Sequence, residues 1–207
     1  MTSAEHQGPV RHSGPDGVEL AILNAAAVCA LRYSIRRMTV EDIAREAGVS
    51  RATVYRVFRG GRDAIIARTV QHQVDGFFAE LAGRLEGVSD PVELLARGLE
   101  EAHVMLASHA LWQKVAETEM DLVVSRLTVE AGRVVEYVAD FLSRHLDEEF
   151  CGDPVAGPGS RAETCGYLAR MFLSYLEAPG GWDMSDPAEV RELVATQMLG
   201  RAPQSGS

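Results

Sequence analysis

Lysine is almost missing from this 207-residue chain: Lys114 is the single one, and every other basic residue apart from the six histidines is arginine. No run of about 18 apolar residues occurs, so no segment is expected to span a membrane. The start carries no charged-then-apolar leader, which makes a cytoplasmic protein the expectation. Three cysteines, Cys29, Cys151 and Cys165, form no metal-binding spacing and would leave an odd thiol if two paired, as suits a reducing compartment. A glycine-rich phosphate loop is lacking. His103 and His109 stand about 240° apart around a helix, so they cannot chelate one metal from a regular helix. His145 near Cys151 lies beside a Gly-Pro loop with no orienting motif. No catalysis, metal or cofactor is therefore expected. Strand-like alternation is lacking as well, which leaves an all-α chain.

The composition is that of an ordinary globular protein, with 46% hydrophobic and 24% charged residues. The net charge of −10 is unevenly spread. Residues 1–70 hold ten arginines against seven acids, whereas residues 71–207 hold ten basic residues against 23 acids. Positive charge thus gathers in the first third, and the acidic remainder would be held away from a polyanion.

That basic third contains the stretch around which the chain is organised, Met38 to Phe58. Thr39 is a good N-cap, with Asp42 three positions on as a variant of the capping box. Val40, Ile43, Ala44 and Ala47 recur at helical spacing. Gly48 stops this helix, since glycine enters the left-handed conformation without a Cβ penalty. Val49 is apolar inside the turn and reads as a plug. Ser50 caps a second helix whose inward face is Val54, Val57 and Phe58. Helix, glycine turn and capped helix make a helix-turn-helix, whose second helix enters the DNA major groove.

At about 100° per residue, Ala52 and Arg56 lie opposite that inward face, flanked by Thr53 and Tyr55. No acid interrupts them within the helix. Arginine can bind guanine bidentately, and Ala or Thr methyls can pack on a thymine methyl. Thr39, Ser50, Tyr55 and Arg62 are expected to hold phosphates by hydroxyl, charge or the N–H groups of helix starts. One short recognition helix covers few base pairs, so two copies on a palindromic double-stranded operator are expected.

From Thr39-Val40-Glu41-Asp42-Ile43-Ala44 and Ala47-Gly48-Val49-Ser50-Arg51-Ala52-Thr53-Val54-Tyr55-Arg56-Val57-Phe58, the stretch resembles the DNA-binding signature of the TetR family of one-component transcriptional repressors. Arg59-Gly60-Gly61-Arg62-Asp63-Ala64-Ile65-Ile66 takes the place of the usual short loop and fourth-helix opening. Gly60-Gly61 replaces a Pro-Ser type of loop, and Arg62 replaces lysine. The likeness covers roughly residues 17 to 68.

The expected organisation is a flexible, disordered arm over residues 1–16 (the alternative being an arm that touches DNA through Arg11), a helix-turn-helix domain over 17–61, a helical body over 62–200 and a loose tail over 201–207. The first helix runs to Tyr33, with Leu20, Leu23, Ala27, Ala30 and Leu31 as its buried stripe. Further helices are expected over Arg62–Leu85, from Ser89-Asp90-Pro91 to Ser108, and over Leu111–Glu119, Asp121–Glu149, Arg161–Ala178 and Asp186–Leu199. Gly152 to Gly159 mark a loop.

The resemblance implies a body that binds a small-molecule effector among its central helices and dimerises through its last two. His103, Trp112, Tyr137, Phe141 and Met171 are the candidate ligand contacts, with His103 as polar handle to a largely hydrophobic effector. Tyr167, Met171, Tyr175, Val190, Leu193, Val194 and Met198 are the candidate homodimer contacts. The resulting expectation is an all-α, ligand-responsive repressor with a three-helix reading head joined by a long helix to its body. Rival readings are an activator or ligand-independent regulator of the same fold, and a protein-interaction adaptor. Arg51, Thr53, Tyr55 and Arg56 weigh against the adaptor.

Overall fold

A computed structural model describes residues 15–111, 113–114, 120–146 and 161–200. The arm up to residue 14, the tail, most of the expected helix Leu111–Glu119 and the loop Cys151–Ser160 lie outside those residues, while residues 15 and 16, read as arm, already belong to the first helix. The described residues carry eight helices: α1 Pro15–Tyr33, α2 Val40–Glu46, α3 Arg51–Val57, α4 Gly61–Arg84, α5 Pro91–Ser108, α6 Met120–His145, α7 Arg161–Glu177 and α8 Pro187–Leu193. They divide into two compact units, a head that ends at Gln73 but also takes in Lys114, and a body that begins at Val74. The head therefore includes the first half of α4, past the residue 61 limit read from the sequence.

In the head, α1 packs on α2 and α2 on α3. α1 buries Ile22, Leu23, Ala25, Ala26, Cys29 and Ala30. Two residues of the expected stripe are on the other side: Leu20 is 44% exposed and Leu31 36%. The cause is composition, because α1 is apolar nearly all round and its period carries no phase. α1 ends at Ser34, the one non-glycine residue with positive φ (74°) among those described, whose N–H donates to the Ala30 carbonyl at 3.0 Å. Lys114 Nζ donates to the Leu31 carbonyl at 2.6 Å.

In the body, α6 packs along α7, and α5 lies against α7 and α8. Asp90 caps α5 by accepting from the Glu93 N–H at 2.8 Å, with Pro91 in the first turn where its missing N–H costs nothing. α5 then sends Leu94, Leu95, Leu99 and Ala102 into a core shared with Leu168, Phe172, Val190 and Leu193. α8 continues into one wider π-type turn, Val194–Met198, closed by the Leu199 N–H on the Val194 carbonyl at 3.0 Å. Among the described residues each unit holds one buried cysteine, Cys29 in the head and Cys165 in the body.

Candidate nucleic-acid interface

The start of α2 is fixed by a closed pair of bonds. The Thr39 hydroxyl accepts from the Asp42 N–H at 3.1 Å, and the Asp42 carboxylate accepts from the Thr39 N–H at 3.1 Å. The same carboxylate accepts the Thr39 hydroxyl proton at 2.6 Å. These bonds to Thr39 are the main cause that holds the Asp42 carboxyl below its ordinary value. Gly48 takes φ +67°, so the chain leaves α2 and the Val49 N–H closes on the Ala44 carbonyl at 3.0 Å. Ser50 Oγ then accepts from the Thr53 N–H at 3.1 Å and bonds the Thr53 hydroxyl at 2.9 Å. Val54 and Phe58 are buried while Val57 is half-buried.

The outward face of α3 follows from that anchoring. Arg51, Ala52, Tyr55 and Arg56 are exposed, and so are the two caps Thr39 and Ser50. Thr53 is half-buried, with its hydroxyl engaged on the cap. The Arg51 guanidinium lies 5.5 Å from the centroid of the Tyr55 ring, a cation–π distance, and pairs with Glu41 from α2. Glu41 is therefore an acid at the edge of a face that has none within α3 itself. It was legible only as an exposed residue at the start of α2. Gly61 turns the chain with φ +61° beneath the Tyr55 ring; a Cβ there would stand 3.4 Å from Tyr55 Cε1.

Arg62 is placed differently. Its Nε donates to the Met38 carbonyl at 2.9 Å, and its Nη2 to the Ile35 carbonyl. The guanidinium therefore serves the peptide backbone of the head rather than the exposed face.

In the body, an apolar cavity opens among four helices. α4 lines it with Phe78, Leu81, Ala82 and Leu85, and α5 with Leu94, Leu95 and Gly98. Tyr137, Val138, Phe141 and Leu142 of α6 and Phe172 of α7 complete it. It measures about 390 Å³ with the space at its mouth included. Of the candidate ligand contacts, Tyr137 and Phe141 line it, whereas His103 and Met171 do not, and Trp112 lies outside the described residues. Five residues beyond Gly98, His103 is rotated by about 140° and displaced by about 7.5 Å along α5. It stands instead near Asp183, whose carboxyl is held down mainly by Ser185 and in smaller part by His103. The lining residue with the clearest sequence signal was Gly98, a glycine in the middle of a helix that needs no turn.

The candidate dimer contacts also separate. Val190, Leu193 and Val194 are 0% exposed and Met198 3%, so they lie inside the chain's own core and present no face to a partner. Tyr167 is exposed, and Met171 and Tyr175 are half-buried. Among the described residues no cluster of three or more His, Cys, Asp or Glu is placed to hold a metal, and no helix is long and apolar enough to cross a membrane.

Residues 22–69 match the family model described as bacterial regulatory proteins, tetR family. Over those residues the chain is similar to the DNA-binding domain of the TetR family. An uncharacterised HTH-type transcriptional regulator of Mycobacterium tuberculosis is 44% identical over 54 residues, 26% of this chain and 29% of that protein. The chain thus matches less than a third of that relative's length. The TetR-family repressor AlkX from Dietzia sp., implicated in biodegradation of n-alkanes, has a TM-score of 0.60 at 20% identity, covering 93% of this chain and 99% of its own. SmeT in complex with triclosan has a TM-score of 0.55 at 20% identity, covering 86% and 90%. At such identities the likeness is one of fold, that of an all-α chain.

Proposed function

We propose that this chain is a cytoplasmic transcriptional repressor that binds a palindromic DNA operator as a homodimer through α3 and leaves it when a small molecule occupies the body. The observation that carries the DNA reading is the exposed face of α3, where Arg56 and Ala52 stand outward and Arg51 is aligned over Tyr55. Thr39 and Ser50 flank that face at two helix starts, where N–H groups favour a phosphate. The basic balance of the first 70 residues supplies the non-specific attraction.

The ligand part rests on the apolar cavity in the body, and SmeT, a neighbour in fold, is known as a complex with triclosan. α4 contributes to both units and to the lining, so a ligand that favours one placement of α4 would shift DNA affinity by its differential affinity for the two states.

The test is fluorescence anisotropy with the duplex upstream of the protein's own gene against a scrambled duplex of equal length. Tighter binding to the native duplex, weakening steeply with salt, is expected. Equal binding to both duplexes would remove the regulator reading.

A further inference from the structure

The cavity also says what kind of molecule it can hold, an inference that rests on the ligand-responsive reading above. Among the described residues Tyr137 is the one lining residue with a side-chain heteroatom, and they bring almost no polar surface to the cavity. Lysine, arginine and histidine are all missing from the lining among the described residues. His145 comes nearest in kind, but it stacks on the Phe141 ring at 4.0 Å with its Nδ1 on the Phe141 carbonyl, and it is exposed. A carboxylate or phosphate placed here would lose its water without gaining a partner. Four of the twelve lining residues are aromatic, and the Phe78 and Tyr137 rings stand 5.5 Å apart at 42°. Tilted faces of this kind suit the edge or face of another ring. At about 390 Å³ with its mouth and the solvent there included, the space limits any occupant to a small molecule.

Gly98 has a specific part in this. A glycine inside a helix is less stable than alanine there, and Gly98 has no positive φ to justify it. What it supplies is room. A Cβ at 98 would stand 3.1 Å from Phe172 Cε2 and 3.5 Å from Leu85 Cδ1, both on lining residues. The Phe172 ring would have to shift, and the open side of that ring is the cavity. We propose that the cavity takes a small, uncharged, ring-sized apolar molecule, and that Gly98 sets the size it admits.

The experiment is calorimetric titration of the full chain with toluene and with benzoate, a neutral and an anionic molecule of similar shape, followed by operator anisotropy with each. Gly98→Ala is compared with Gly132→Ala, which makes the same change within a helix where a Cβ meets nothing within 4 Å. Ala82→Leu, at a half-buried lining position, fills the cavity without touching the packed side of Phe172 and serves if Gly98→Ala does not fold. Toluene should bind the parent and Gly132→Ala alike and bind Gly98→Ala and Ala82→Leu about ten-fold more weakly or worse, since one methylene in a filled pocket has that effect. Benzoate should not bind. Benzoate binding as well as toluene overturns the uncharged class, and so does failure of toluene to bind the parent. Undiminished toluene binding by the filled variants overturns the role of Gly98 and of the cavity. Toluene binding that leaves operator affinity unchanged upholds the ligand class and defeats the effector reading instead.

Discussion

Arg62, the second residue of α4, donates its Nε proton to the carbonyl of Met38 at 2.9 Å and reaches the Ile35 carbonyl with Nη2. The two carbonyls belong to the segment between α1 and α2, so one guanidinium ties the beginning of α4 to the entry of the helix-turn-helix. Its fork matches two diverging acceptors, which a lysine ammonium would not do with the same fixed geometry.

Arg62→Ala should therefore lower the stability of the head. Hydrogen bonds to a charged group are worth about 1.5–3 kcal/mol each, and the part exposure of this side chain discounts the pair to about 2 kcal/mol in all. Chemical denaturation read by circular dichroism checks this. Arg62→Lys should recover less than half. An unchanged midpoint with weakened DNA binding would return Arg62 to the phosphate role.

Arg56→Ala should leave the melting behaviour within about 0.5 kcal/mol of the parent, because the side chain is exposed. It should weaken operator binding by roughly 1–3 kcal/mol and relax one base preference. Anisotropy across a panel of single-base operator variants measures both. Uniform weakening across the panel would make Arg56 a phosphate contact.

Asp42 predicts an acid limit. Its carboxyl is depressed in the folded head by the Thr39 bonds, so it binds protons more readily when unfolded. The stability it contributes is fully present above the unfolded value of about 3.9 and is lost as pH falls through the depressed folded value. Melts of the parent and Asp42→Asn from neutral pH down to about pH 3 should start apart, with the parent more stable, and converge in acid. Parallel curves would mean that the bonds persist when the carboxyl is protonated.

Ser34→Gly should stabilise the head. A left-handed residue with a Cβ is strained by about 1–2 kcal/mol, and the entropy that glycine adds to the unfolded chain takes back part of the relief. A gain of about 0.5–1 kcal/mol remains, readable by differential scanning calorimetry. Ser34→Val, branched at Cβ, should move the other way.

Leu193→Glu and Tyr167→Glu should separate folding from assembly. Leu193 is wholly buried, so a charge there should cost more than about 4 kcal/mol and unfold the body at any concentration. Tyr167 is 49% exposed, so its substitution should leave the fold intact and weaken self-association in sedimentation. A folded, dimeric Tyr167→Glu would place the dimer contact elsewhere than on this face of α7.

The sequence was most legible where structure is local. Thr39, Asp42, Gly48 and Ser50 act within a few residues of themselves, and each makes the bond that its spacing implies. Long-range geometry was not legible. α1 is apolar on too many sides for its period to choose between Leu20 and Ile22. In α8 and its continuation, an apolar face reads the same whether it meets its own α5 or a second chain, and Val190, Leu193, Val194 and Met198 meet their own. Arg62 shows its charge in the sequence but not the two carbonyls it serves. His103 was placed by its neighbours in the sequence, although half a turn of α5 decides which space a side chain enters.

The two buried thiols give each unit its own clock. Cys29 is 1% exposed in the head, where burial pushes its thiol above the ordinary value, and Cys165 is 1% exposed in the body. A thiolate must both form and be reached before it is alkylated. Each of these two cysteines should therefore react at the pace at which its own unit opens. Pulsed alkylation followed by peptide mass spectrometry would then time the two openings separately in one unmodified protein, with DNA added to slow the first and a ligand added to slow the second.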